Sequence, residues 1–292
     1  MKGDAETTAA ITIVNALSAG VGSAVGIELR VRAGVELHPE GSRGKWDVQM
    51  ADEARTPLVI AALTEALRRF APDSSGHGSL TLRSGIPSAR GLKSSSAVSS
   101  AIVLAVARAT DSTVTPLEVA RISAAVSRSA GVSATGALDD ALASLTPGLV
   151  VTDNRAETLL ASYLLPPGLG VALYVPPGTH RRSPDLAGAF GADLTRGRRA
   201  ADLALKGDWA SAMRENTEIV ERAIGYDYGA LRTKLAQHGA IASGVSGMGP
   251  AIASIGPSAR LPEMVEALPV DSGNRRAIAF SRTVARDGEA MS

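Results

Sequence analysis

The chain has 292 residues, of which 45% are apolar and 20% charged, with a net charge of +1. That length allows a large core and two domains, and the near-neutral balance gives no electrostatic basis for nucleic-acid or membrane partners. With no cysteine, disulfides, thiolate catalysis and cysteine-ligated metals are excluded. His38, His77, His180 and His238 sit at no ligand-like spacing, so a zinc core is not expected. The opening MKGDAETTAA lacks a charged-then-apolar signal pattern. No apolar run reaches the roughly 18–20 residues of a membrane helix. A cytoplasmic location is the expectation.

In chain order, residues 9–14 and 24–31 read as strands around a small-residue loop at 16–23, and 45–50 as a further strand. Thr56-Pro57 opens a helix to about Phe70, with Thr as cap and Pro at its first position. Residues 79–83 are a short strand, 85–91 a loop, and 94–110 a helix of small apolar residues that should be buried all round. Thr115-Pro-Leu-Glu118 is a capping box opening a helix to about Ser129. A Gly/Ser/Thr-rich stretch and an apolar helical segment ending near Pro147-Gly148 follow. Strands at 149–152 and 170–175 flank the expected domain junction, where Pro166-Pro167 and Pro176-Pro177 punctuate the chain. Helices are expected over 184–205, 208–224 and 229–238, then strands at 240–245 and 251–255 around a glycine-rich turn, a helix near 261–268 and a strand at 276–284. Strands and helices interleave with few simple parallel crossovers, which predicts an α+β fold.

The segment from Gly85 to Ala97, GIPSARGLKSSSA, carries the most chemistry. It lies between a strand and a helix. Gly85 and Gly91 let backbone approach a ligand, Ser94, Ser95 and Ser96 offer hydroxyls, and the following helix presents unpaired amides and its positive dipole end. Arg90 and Lys93 add charge. An anion site results, with phosphate the natural guest. A Walker A loop needs Gly, four residues, then Gly-Lys-Ser/Thr. Here five residues separate Gly85 from Gly91, and Leu92 intervenes before Lys93, so a P-loop fold is disfavoured.

The segment resembles the second motif of the GHMP kinases, Pro-x-x-x-Gly-Leu-x-Ser-Ser-Ala, through Pro87, Gly91, Leu92, Ser94 and Ser95, with Ser96 extending the serine run before Ala97. The fuller string is similar to the archaeal shikimate kinase branch. Gly244-Val-Ser-Gly-Met-Gly-Pro-Ala251 resembles the third motif, a glycine-rich turn near the phosphates, with Met248 where a small residue is usual. Asn15-Ala-Leu-Ser-Ala-Gly20 stands where many relatives carry an extended Gly-Glu-His pattern, a departure that argues against galactokinase or mevalonate kinase. The likeness runs from about residue 9 to 284.

The resemblance implies a two-domain GHMP fold. Residues 1–150 would form a ribosomal S5 domain 2-like unit and 151–292 a ferredoxin-like one. It implies that Pro87, Ser88, Ala89, Arg90, Gly91, Leu92, Lys93, Ser94, Ser95, Ser96 and Ala97, with Gly244, Ser246 and Gly247, hold ATP. Ser95 or Ser96 would meet Mg²⁺. Relatives take their catalytic Asp from a Ser-Gly-x-Asp segment; Ser133-Ala-Thr-Gly-Ala-Leu-Asp-Asp140 stands in its place, with Ser144 four residues after Asp140 and Gly148 beyond, but it departs from the pattern by extra sequence between Gly136 and the acids. Two adjacent acids cannot both face one point on a helix. Asp140 is assigned as the base, and Asp139 stays open as the alternative. Asn15, Arg155 and Arg181 are candidates for the acceptor, since arginine suits a carboxylate. Glu215, Asn216, Glu218 and Glu221 read as an exposed polar helix face.

The activity implied is transfer of the γ-phosphoryl of ATP to the 3-hydroxyl of shikimate, by a monomer or homodimer. Homoserine as acceptor and a non-catalytic GHMP-fold binding protein are the alternatives.

Overall fold

A computed structural model describes residues 1–38, 46–51, 56–72, 77–177 and 186–282. Two antiparallel-dominated sheets carry the helices. The elements of the first half are β1 (Lys2–Val14), α1 (Ala16–Ala19), β2 (Val21–Leu37), β3 (Asp47–Met50), α2 (Thr56–Phe70), β4 (Gly78–Ser84), α3 (Ser94–Ala109), α4 (Pro116–Ser129), α5 (Leu138–Ala143), β5 (Leu149–Asp153) and β6 (Thr158–Tyr163). The second half holds β7 (Leu169–Val175), α6 (Leu186–Gly191), α7 (Leu194–Leu205), α8 (Trp209–Ile224), α9 (Gly229–Gln237), β8 (Ala242–Val245), β9 (Ile252–Pro257), α10 (Leu261–Ala267) and β10 (Asn274–Ile278).

The first sheet runs β3-β4-β2-β5-β6, with β1 also on β2. Its long pair β1–β2 starts at Lys2, earlier than the apolar run suggests. Lys2, Asp4 and Glu6 alternate outward against inward Gly3, Ala5 and Thr7, the period-2 pattern of a half-solvated strand. β1 pairs along nearly the whole of β2, whereas β5 takes Val21–Val25 and β4 takes Val31–Leu37. β4 and β5 therefore share the opposite edge of β2 and leave a gap between them. The chain's last described segment fills it: Glu28 N–H donates to Ala279 O, Ser281 N–H donates to Gly26 O, and Phe280 bridges Ile27. Among the described strands only β3–β4 is a parallel pair, in keeping with an α+β fold.

α3 lies on β1 and β2 between α2 and α4. Fourteen of its sixteen residues are buried, so its small side chains are what allow helices and sheet to close around it on every side. The second sheet is ordered β10-β7-β9-β8 and is wholly antiparallel. α8 packs on β8 and also on β1, which joins the two sheets beside the phosphate-loop region.

Several expectations are corrected. The loop at 16–23 contains α1 and the start of β2. β6 was not foreseen, because Leu159 and Leu160 are exposed and break the alternation. It extends the first sheet past residue 150, so the change of sheet falls between Tyr163 and Leu169. The single helix over 184–205 is two helices, parted at Ala192-Asp193. The last strand ends at Ile278 before the bridge at Phe280. Lys45, His180, Arg181 and residues 283–284 lie outside the described residues. Among the described residues, no helix is long and apolar enough to cross a membrane.

Candidate active site

The loop from β4 to α3 turns through left-handed conformations at Ala89, Gly91 and Lys93. Lys93 is the N-cap residue of α3 and makes no side-chain cap. The first-turn amides of α3 thus have no capping side chain. Ser94 and Ser96 are buried in that turn and Ser95 is half-buried. Leu92 and Ala97 turn into the core, so their side chains serve packing and only their main chain faces the loop. Pro87 is half-buried, and Ser88 and Ala89 are exposed at the loop's tip. Arg90 keeps one buried guanidinium nitrogen, Nη1, with no partner among the described residues.

The turn between β8 and β9 is stitched onto this loop. Ser246 Oγ donates to Gly91 O at 2.7 Å and accepts from Thr12 N–H at 3.2 Å. Gly247 N–H donates to Thr12 Oγ1 at 2.8 Å, and Asn15 Nδ2 donates to Gly247 O at 3.3 Å. Ala251 N–H donates to Arg90 O at 3.2 Å. A Cβ on Gly91 would collide with Ser246 O. Gly244 lies in β8 against Thr217 and has a packing role, since a Cβ there would strike the Thr217 hydroxyl. Tyr226 covers Gly249 and donates to Met248 O at 3.2 Å.

α5 brings both acids into its first turn, and adjacent helical positions point in different directions. Asp139 faces β2 and β5. Its Oδ1 accepts from Asn154 Nδ2 at 2.9 Å, and a Cβ on Gly22 would come within 2.5 Å of its Cγ. Asp140 faces the phosphate loop, where Lys93 Nζ lies 2.9 Å from its Oδ1. Both acids are more than nine-tenths buried. Burial pushes the Asp140 carboxyl up to about 7, with Lys93 opposing the rise and Asp139 adding to it. A carboxyl held there is poised to exchange protons near neutral pH.

This sets a sign. The base form of Asp140 predominates only above about pH 7. In ¹³C NMR of the ligand-free protein labelled at Asp carboxyls, the Asp140 signal is expected to titrate near pH 7, and Lys93→Met should move it higher. A midpoint near 4, the ordinary Asp value, would contradict the burial argument. The Asp140→Asn spectrum assigns the signal.

The structure also gives definite partners to residues that sequence reasoning placed elsewhere or passed over. Asn216 is buried, and its Oδ1 accepts from Asn15 N–H at 2.7 Å. It belongs to no exposed face, because α8 is covered by β8 and β1 at that point. Glu221 is largely buried and paired to Arg232 at 2.9 Å. Asn154, Thr12 and Tyr226 were also missed. Arg155 follows Asn154 on the β5–β6 turn, exposed, its side chain alongside Gly20 next to the Asp139 site. Among the described residues no cluster of acids and histidines has the makings of a metal site by itself. The Ser95 and Ser96 hydroxyls supply hard oxygen donors, and Mg²⁺ commonly keeps several waters and takes further oxygens from substrate phosphates. The donor set fits that ion.

An uncapped helix start, an arginine nitrogen with no partner among the described residues and a buried acid thus meet at one loop. The family model for the GHMP kinases N terminal domain matches residues 57–148. A shikimate kinase of Thermococcus kodakarensis is 35% identical over 86% of this chain and 91% of its own length. One from Halobacterium salinarum is 34% identical over 88% and 89%. In fold, the chain is similar to a mevalonate kinase (TM-score 0.71, 12% identity, 95% of this chain and 98% of that one). It is also similar to a Listeria monocytogenes protein described as a putative homoserine kinase (TM-score 0.67, 17% identity, 97% and 98%). The chain belongs to the GHMP kinase family and, within it, groups with these archaeal shikimate kinases. It is an ATP-dependent phosphotransferase with an alcohol acceptor.

Proposed function

We propose that the chain transfers the γ-phosphoryl of ATP to the 3-hydroxyl of shikimate. In this reading the first sheet and its helices form one domain, which carries the phosphate loop and the acids. The second sheet forms the other and carries the closing turn. The amides and hydroxyls at the start of α3, with Arg90 and Lys93, cradle the triphosphate, and Ser246-Gly247 closes over it. The Ser95 or Ser96 hydroxyl holds Mg²⁺, which when bound neutralises charge on the phosphate oxygens. Asp140 takes the proton of the acceptor hydroxyl as its oxygen bonds to the γ-phosphorus and ADP leaves. Asn154 holds Asp139 beside it as a positioning group. Asn15, Arg155 and Arg181 are assigned to the acceptor, the arginines to its carboxylate.

The observation that carries this reading is the meeting of Lys93 from the phosphate loop with Asp140 from α5, at 2.9 Å in a buried place. The pair sets a cation from the loop and an acid from α5 side by side at an uncapped helix start, the groups that phosphoryl transfer to a hydroxyl requires. The test is ADP release with ATP, Mg²⁺ and either shikimate or homoserine. Turnover with shikimate and background with homoserine is expected. The reverse would transfer the reading to homoserine, and no ADP with either would remove the kinase assignment.

A further inference from the structure

Lys93 has two claims on its ammonium. It stands at the mouth of α3, and its Nζ lies 3.3 Å from the position a Cβ would take on Gly247, between the loop and the turn that face the proposed triphosphate. Yet its charge is already engaged, 2.9 Å from Asp140 Oδ1, with both side chains about nine-tenths covered. Asp140 has no other ion-pair partner among the described residues, and Asp139 is held separately by Asn154.

We propose that Lys93 exchanges partners: its ammonium leaves Asp140 for the triphosphate when ATP binds, so that nucleotide binding frees the base. The inference rests on the proposed phosphate site and adds a coupling within it. A carboxylate tied to a buried ammonium is a weak acceptor for a hydroxyl proton, because the neighbouring positive charge favours its ionised form. A polyanion arriving at the α3 amides offers the ammonium more negative charge than one carboxylate does. Lys93 has three donors on a flexible stem, so a small swing suffices. The base would then reach full strength only when the phosphoryl donor is seated.

Exchange makes Asp140 a competitor of the nucleotide, and that gives an unusual signature. Binding of a non-hydrolysable ATP analogue with Mg²⁺ would be measured by calorimetry on the full chain, at a pH of about 8.5, above the Asp140 range. Asp140→Asn is expected to bind the analogue about tenfold tighter, and Lys93→Met at least about tenfold weaker, the range of coupling seen for close charge pairs. In the Lys93→Met background, where the Asp140 range moves up and the pH is therefore also raised to about 9.5, adding Asp140→Asn should change nothing beyond about twofold at either pH, because the competition is gone. Asp140→Ala repeats the measurement with a different steric footprint if the Asn variant folds poorly. Unchanged or weaker binding by both Asp140 variants, with Lys93→Met still weak, would overturn the exchange. Lys93 would then bridge both partners, and the kinase reading would stand. Full affinity in Lys93→Met would also overturn it. The kinase reading itself is decided separately, by ADP release with shikimate.

Discussion

Asp140→Asn is expected to lower kcat by about a thousandfold, the middle of the range for removing a general base, while leaving the fold intact. The substitution is isosteric, so the α5 turn and its neighbours need not move. What changes is that the group facing Lys93 can no longer take a proton. Asp139→Asn should cost less, about tenfold to a hundredfold, the usual effect of disturbing a group that orients another. An Asn at 139 keeps an oxygen to accept from Asn154, whose 2.9 Å bond and the close approach of Gly22 hold that side chain in place. Single-turnover rates with shikimate would measure both variants, with circular dichroism to check folding. Should Asp139→Asn be the more damaging, the two acids exchange roles: Asp139 becomes the base, and the Lys93–Asp140 pair becomes a binding device.

What the sequence made legible here was local. The Gly91–Ser96 run announces a helix start open to an anion because the glycine, the serines and the helix that follows lie within a few residues of one another. The adjacency of Asp139 and Asp140 likewise implies different facings, about 100° apart, from helix geometry alone. What stayed hidden depends on partners far along the chain. Asn216 meets Asn15 across 201 positions, and Gly247 meets Thr12 across 235. In sequence, Asn216 sits among Glu215, Glu218 and Glu221 and reads as solvated; only the packing of α8 onto two sheets makes it a buried connector. The pairing of residues 279–281 with β2 was invisible for a similar reason. It is dictated by a gap between β4 and β5 that exists only once both have paired.

Gly91 and Gly85 look equivalent in the sequence, and their alanine variants are expected to differ sharply. Gly85 has no left-handed requirement, and a Cβ there meets only Arg30 O at 3.6 Å, ordinary contact. Gly85→Ala should therefore be near neutral in stability and rate. Gly91 sits at φ +82, where an L side chain costs about 1–2 kcal/mol. Its Cβ would run into Ser246 O and approach Gly249 O at 3.2 Å. Both obstacles are main-chain atoms, so no rotamer change relieves them. The loop and the turn would have to part, breaking the Ser246 Oγ bond to Gly91 O and the Ala251 N–H bond to Arg90 O. Gly91→Ala should lose more than about 2 kcal/mol of stability, as strain and lost hydrogen bonds combine, and kcat/KM for ATP should fall about a hundredfold or more, since a displacement of roughly 1 Å among positioning groups has that effect. Urea denaturation and steady-state kinetics on both variants would measure this. Equal, mild behaviour of the two would mean that contact between the phosphate loop and the closing turn is incidental to catalysis, and that the site works from one side alone.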